Sequence, residues 1–259
     1  MTMKNANDLC TVCGTQRRRL PTPENLICIS CGNAHQSHIK CPEGHALCSA
    51  CESREAMKRI ADIAMSTSSK DPQRIAEIMM SHLNLPLLGC EHAPLAAGAL
   101  MASLKNSPYG KEKISDKDIR EVFERAAKQT ADGSCASTGV CGIVPAIGAC
   151  FSLFLGARRG SDTEQKITME AAIRASQSIA DLAGPSCCKA NVRAALSASV
   201  ELLGERFGIT LPVKDSAIIC HDSERHLQGC REEKCPYFLK PTRDIFAEGK
   251  FVPGTVCIS

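Results

Sequence analysis

The chain has 259 residues, 44% of them hydrophobic, enough for one large or two modest domains with a buried core. Its 31 basic and 28 acidic residues leave a net charge of +3, and aromatic residues make up only 3%, with no Trp. That balance gives no electrostatic case for nucleic acid or an anionic membrane, and no platform for stacked bases. The start, MTMKNANDLC, lacks an apolar stretch of signal-peptide length, and the longest apolar run, CGIVPAIGACFSLFLGA, is one helix broken by Gly and Pro. A soluble, cytoplasmic protein is expected. In that compartment 17 cysteines signal metal or redox chemistry rather than disulfides.

Residues 1–52 read as a helix-poor, cysteine-rich head, with residues 53–259 as a mainly α-helical cysteine-rich domain. In the head, Cys10-x2-Cys13, Cys28-x2-Cys31 and Cys41-x3-His45-x2-Cys48-x2-Cys51 make eight ligands in four close pairs. Zinc takes four N or S ligands in a tetrahedron, and a C-x2-C turn puts two thiolates on one ion. Two zinc ions are therefore expected, both structural, because a closed site leaves no position for substrate. The run CPEGHALCSAC resembles the cross-braced RING-like fold, with a zinc ribbon as the plainer relative. The cross-brace implies that Cys10, Cys13, Cys41 and His45 share one ion, and Cys28, Cys31, Cys48 and Cys51 the other. A C-x2-C stands where that family has its central Cys-His step, and His35 and His38 are neighbouring substitutes for a ligand. A ubiquitin ligase would need apolar contacts from residues such as Leu26, Ile27, Ile29 and Pro42. The competing reading is a module for docking or stability.

The body opens with REAMKRIADIAMSTSSKDPQRIAEIMMSHL, two helices broken at TSSKDP, where Asp71 is placed to cap and Pro72 to occupy the first helical position. Further helices are predicted over APLAAGALMASLKN, SDKDIREVFERAAKQ, GIVPAIGACFSLFLGA, EQKITMEAAIRASQSIADLAG and CKANVRAALSASVELLGERFG. Ser115 and Asp118 signal an N-terminus ahead of the stripe Ile119, Val122, Phe123 and Ala126. The main strand candidate is ITLPVKDSAIIC, followed by an irregular tail from about residue 212.

Five body cysteines share a setting. Cys90 precedes a helix opened by Pro94, Cys135 and Cys141 lie in a Gly/Ser stretch before another, and Cys187 and Cys188 start a third. A helix N-terminus favours the thiolate, and the glycines let a bulky ligand approach. Three such termini converging would seat a thiolate-bound cluster. The tail adds Cys220-x9-Cys230-x4-Cys235-Pro236, clustered as iron–sulfur ligands often are, with His221 and His226 as further nitrogens. An iron–sulfur cluster is therefore expected in the body, bound among Cys135, Cys141, Cys187, Cys220, Cys230 and Cys235. Cys90, His92 and Cys188 are the candidates for catalysis. Lys189 and Arg193 are cations that could balance the cluster or hold an anionic substrate. Cys150, inside IGACFSLFL, reads as a small buried hydrophobe, and Cys257 as unpaired.

GSCASTGVCGIVPAIGA resembles the Gly-Ile-Val-Pro-Ala stretch of iron–sulfur serine dehydratases and cysteine desulfidases. That likeness implies a [4Fe–4S] cluster acting as a Lewis acid in a helical enzyme. The whole body, with GCEHAP, GPSCCKAN and GCREEKCP, resembles an uncharacterised cysteine-rich family of anaerobic prokaryotes, some of whose members are joined to methyltransferase-like domains. Three functions compete. The first is an iron–sulfur lyase or sulfur/redox enzyme with a small-molecule substrate, its zinc head docking a protein partner such as a methyltransferase-like protein. The second is a non-enzymatic zinc adaptor, and the third a RING-type ubiquitin ligase.

Overall fold

The structure, a computed structural model, describes residues 10–83, 85, 87–130, 135–182, 184–212, 218–226 and 229–238. It is mainly helical, with a small β-hairpin in the head. The hairpin joins β1 (Arg18–Ile27) to β2 (Ala34–Lys40) in antiparallel register, from Ile27 opposite Ala34 to Arg18 opposite Lys40. The register breaks between Arg19 and Glu24, the stretch that holds Pro21 and Pro23, which have no N–H for the ladder. Sequence pattern did not predict this hairpin. Neither strand buries an apolar face, so the alternation that marks a half-buried strand is missing.

What replaces that apolar face is sulfur. Between residues 10 and 51, the fully buried side chains are Cys10, Cys28, Cys41 and Cys51. The hairpin's turn is itself a ligand turn. Gly32, at φ 73°, donates its N–H to the Cys28 carbonyl at 2.8 Å, and Cys28 donates to Asn33 at 2.9 Å. Cys10 to Thr15 repeats the same pattern, with Gly14 at φ 71°. Both turns need a left-handed residue directly after the second cysteine, which Gly supplies without a Cβ penalty.

The body is a bundle of α1 (Ser49–Ser66), α2 (Pro72–His82), α3 (His92–Asn106), α4 (Asp116–Gln129), α5 (Cys135–Thr138), α6 (Ile143–Leu155), α7 (Thr163–Ala180) and α8 (Cys188–Phe207). The Asp71 carboxylate caps α2, accepting from the Gln73 and Arg74 N–H groups at 2.9 and 3.1 Å. Asp118 accepts from both the N–H and the hydroxyl of Ser115 at the start of α4. α3 is the central helix. Every residue from His92 to Leu104 is buried, against α1, α2, α4, α6 and α8. Its run of Ala and Gly lets those neighbours come close: a Cβ on Gly98 would lie 2.9 Å from the Phe123 ring. Ile75, Met79, Leu95, Leu100, Ile119, Ile147, Phe151 and Leu196 fill the core around it.

The head is not separated from this core. α1 starts at Ser49, with Cys51 in its first turn and Ile60 and Ala64 in the body core, so head and body share a helix. Among the described residues, no helix is long and apolar enough to cross a membrane. The strand expected over ITLPVKDSAIIC is not formed by its described residues. Ile209 and Leu211 instead bury their side chains beyond the Gly208 C-cap, and Cys220 makes a single bridge to Phe238.

Candidate metal centres

In the head, Cys10, Cys13, Cys41 and His45 bring their ligand atoms within 4.8 Å of one another, as do Cys28, Cys31, Cys48 and Cys51. The order is interleaved: the first ligand pair joins the third, and the second joins the fourth. Among the described residues, these are the two sets that close so tightly. His35 and His38 lie on β2, outside both. One thiol of each set is shifted toward the thiolate, while burial raises Cys41 and the neighbouring thiols raise Cys31. The hydroxyl and N–H of Thr15 hold the Cys13 thiol at about 6, and the Cys48 N–H leads in holding Cys28 at about 6. The thiolate is the form a metal binds. The second set is built into α1, whose N-cap is Cys48, and the Arg17–Glu52 ion pair at 2.7 Å ties the hairpin's base to the same turn. Both sets could hold a metal ion, and four S or N ligands suit zinc.

In the body, thiols from different helix starts lie near enough to act on one another's charge. Cys135 and Cys90 lie near enough to Cys141 to act on its charge, and Cys141, Cys187 and Cys135 act on Cys188. The Cys188 N–H donates to the Leu87 carbonyl at 3.2 Å, which draws the start of α8 against the loop that carries Cys90. Asn191, one turn into α8, donates to the Cys141 sulfur at 3.8 Å. Cys90 and Cys135 are exposed, while Cys141 and Cys188 are half-buried. The expected thiolate bias of helix starts is overridden here. Burial, reinforced by the neighbouring thiols, pushes Cys188 up to about 12 and raises Cys141 and Cys187 as well. A cation would reverse that balance, since each thiolate disfavours the others only while nothing offsets their charge.

His92 is 1% exposed and opens α3. Its Nδ1 lies 3.1 Å from the Gly89 carbonyl, which fixes the proton on Nδ1 and leaves Nε2 a buried nitrogen with no hydrogen-bond partner. Burial lowers its pKa to about 4, with Lys189 acting in the same direction, so the ring is neutral at pH 7. A neutral imidazole held through its other nitrogen by a carbonyl is the form that serves as a base or a metal ligand.

The tail lies over the start of α8. Cys187, Cys220, Cys230 and Cys235 line one small cavity, with His226 at its edge, while His221 is exposed. The Lys189 ammonium, 4% exposed, meets Asp222 at 2.7 Å, and Arg225 reaches the same carboxylate. Burial would raise Asp222, but the two cations outweigh it and hold the carboxyl below its usual range. Arg193 makes a double contact with Glu77 at 2.6 and 2.9 Å. Cys150 is fully buried, with its thiol 3.6 Å from the Ala97 carbonyl, a packing residue of the core. Cys257 lies outside the described residues. Sequence reasoning passed over Asn191, Asp222 and Arg231, polar residues whose only signal is their place within four residues of a body or tail cysteine.

The geometry can be set beside known proteins. Neither the curated proteins nor the solved structures contain a match to this chain, so the RING-like and dehydratase-like features draw no support from them. Residues 60–238, which include every described cysteine of the body, match the model of a family described as a family of unknown function, DUF5714. That span is more than half of the chain, and the chain belongs to this family of unknown function.

Proposed function

We propose that this protein is a metal–thiolate enzyme with two structural zinc ions in the head and an iron–sulfur centre in the helical body, working in lyase-type or sulfur/redox chemistry. The observation that carries the reading is that Cys90 and Cys135 act on the charge of Cys141, and Cys135 and Cys141 on that of Cys188, across three helix starts, one of which is opened by the neutral, buried His92. Cys135, Cys141 and Cys188 would hold the cluster, and Asn191 would orient Cys141 through its sulfur. Three cysteines on a four-iron cluster leave one iron open to a small molecule, which supplies Lewis-acid chemistry when the cluster is bound. The exposure of Cys90 and Cys135 gives such a molecule access. His92, with its bare Nε2, is the nearby group able to take a proton, and the Lys189–Asp222 pair fixes the electrostatics around it.

The head would then dock a protein partner, for which Val12, Ile27 and Ile29 offer exposed apolar side chains. The test is anaerobic purification with iron, acid-labile sulfide and visible absorbance measured. Wild-type protein should be brown, and Cys141→Ser and Cys188→Ser should lose iron and sulfide together while keeping the zinc of the head. A colourless anaerobic protein with zinc as its only metal would refute the iron–sulfur centre and favour an adaptor.

A further inference from the structure

Cys187 and Cys188 are adjacent in the chain but serve different groups. Cys188 belongs with Cys135 and Cys141, whereas Cys187 lines the cavity under the tail with Cys220, Cys230 and Cys235. We propose that Cys187, Cys220, Cys230 and Cys235 form a third zinc site, distinct from the body's other thiols, which fastens the tail to the start of α8.

Four observations carry this. The first is size. The cavity has a volume of about 10 Å³, room for one water or one metal ion. The second is the ligand turns. The sulfurs of Cys220 and Cys230 accept the N–H two residues on, from Asp222 and Glu232, at 3.4 Å each. This local geometry holds a thiolate in place before a metal arrives.

The third observation is charge. Four thiolates on Zn²⁺ leave a net charge of −2, and this corner buries two cations, Arg193 at 3% exposed, already paired with Glu77, and Arg231 at 7%. Arg193 lies near enough to Cys220 to feel its charge and stacks 5.1 Å over the Tyr237 ring. Arg231 is anchored by the Pro185 and Leu182 carbonyls at 2.7 and 3.2 Å and faces no carboxylate in those contacts. A buried guanidinium satisfied only by carbonyls is what a nearby anionic centre stabilises. The fourth is how little apolar contact the described tail makes, its other ties to the body being polar, the Lys189–Asp222 pair and the Arg231 hydrogen bonds to Pro185 and Leu182. The described tail has two short 3-10 turns, at Ser223–Arg225 and Glu232–Lys234, and one bridge. Its apolar contact with the body is a small cluster of Leu182, Cys187, Ala190 and Ala194 with Cys235 and Tyr237, two of them thiols. A segment so poor in apolar contacts is ordered by what ties it down, and four thiols lining one cavity do so on closing about an ion, a closer approach than their present spacing, which is wider than that of the two head sets.

This site does not depend on the iron–sulfur reading, and the experiment separates the two. The full chain is reconstituted anaerobically with zinc, and zinc, iron and sulfide are counted for wild type, Cys235→Ser, Cys187→Ser/Cys235→Ser and Cys141→Ser. Cys235→Ser should bind one zinc fewer than wild type. The double variant should lose that same single zinc and no more, with iron and sulfide unchanged in both. Cys141→Ser should keep the zinc. Trypsin should cut at Arg231 or Lys234 in Cys235→Ser and spare those sites in zinc-loaded wild type. Cys235→His, which keeps a zinc ligand at that position, should restore both the ion and the protection, a rescue that general misfolding would not show. An unchanged zinc count in Cys235→Ser overturns the site. So does a loss of iron and sulfide in that variant, which would assign the tail to the cluster.

Discussion

Replacing Cys13 by Ala removes one ligand from a head whose buried interior is sulfur. A structural zinc contributes about 10–16 kcal/mol to folding at pH 7 in small domains. A whole domain is commonly stable by only about 5–15 kcal/mol. Between residues 10 and 51 the buried side chains are Cys10, Cys28, Cys41 and Cys51, so no apolar core remains to carry the hairpin once one site is lost. Cys13→Ala should therefore bind one zinc fewer and expose β1 and β2 to proteolysis and hydrogen exchange. The effect should stop at α1. That helix keeps the second site at Cys48 and Cys51, and its far end is held by Ile60 and Ala64 in the body core. Native mass spectrometry reads the zinc count. Far-UV circular dichroism should show nearly unchanged helicity, and limited proteolysis should leave a resistant fragment beginning near residue 49. A Cys13→Ala protein with full zinc and a protected hairpin would refute the ligand set. Collapse of the helical signal would refute the claim that the body stands on its own core.

Other outcomes follow from single contacts. Gly110→Ala would place a Cβ 2.0 Å from the Leu104 carbonyl oxygen, a backbone atom that cannot rotate away, so the cost should fall at the upper end of about 1–3 kcal/mol for overpacking and lower the Tm by roughly 5–10 °C. An unchanged melting curve would mean that the turn after α3 is not built as described. Phe151→Ala, at a side chain 1% exposed in α6, should cost about 3–5 kcal/mol, read by denaturant unfolding. The Ser115 hydroxyl and N–H hold Asp118 below its ordinary range, so the folded state favours the carboxylate. That stabilisation is full above the unfolded pKa, near 4, and is lost as pH falls through the lower folded value. Asp118→Asn should thus melt below wild type at pH 7, with the gap narrowing below about pH 3.5, whereas a constant gap would show that the charge is not involved.

The helices were legible because each carries its own punctuation. Asp71–Pro72 and Ser115–Asp118 mark starts through contacts made within four residues, and the stripe Ile119, Val122, Phe123, Ala126 turns a single face inward. The ligand sets of the head were legible for a similar reason: C-x2-C spacing is local and its partners are few. The hairpin between them was not, because it buries no apolar face, its buried side chains being cysteines, and its two prolines argue against a strand. Three helix starts named the body thiols that meet, but sequence could not divide them into groups. The division depends on Cys187 and Cys188 facing different neighbours, and on a tail whose nearest cysteine lies more than thirty residues along the chain. The electrostatic expectation failed where a distant packing effect won, since burial at the start of α8 raises thiols that an exposed helix end would lower.

These observations divide the labour of stability between two materials. The middle of the chain, from α1 to α8, is held by a continuous apolar core centred on α3. Among the described residues, both ends gather cysteines around little apolar core, and in the tail two of the sulfurs accept from N–H groups two residues further on. The ends also attach in the same manner, by putting a ligand at the first turn of a long helix: Cys48 and Cys51 on α1, and Cys187 on α8. A metal bound at either place would draw on a helix already fixed by the core, so only the irregular partner segment loses freedom on binding. That lowers the entropic cost of forming the site. With metal bound at both places, order at the two ends would respond to metal supply and thiol oxidation, while the helical core would not. With Cys135, Cys141 and Cys188 beside the tail, a change there would alter access to the body's thiols without any rearrangement of the helices that carry them.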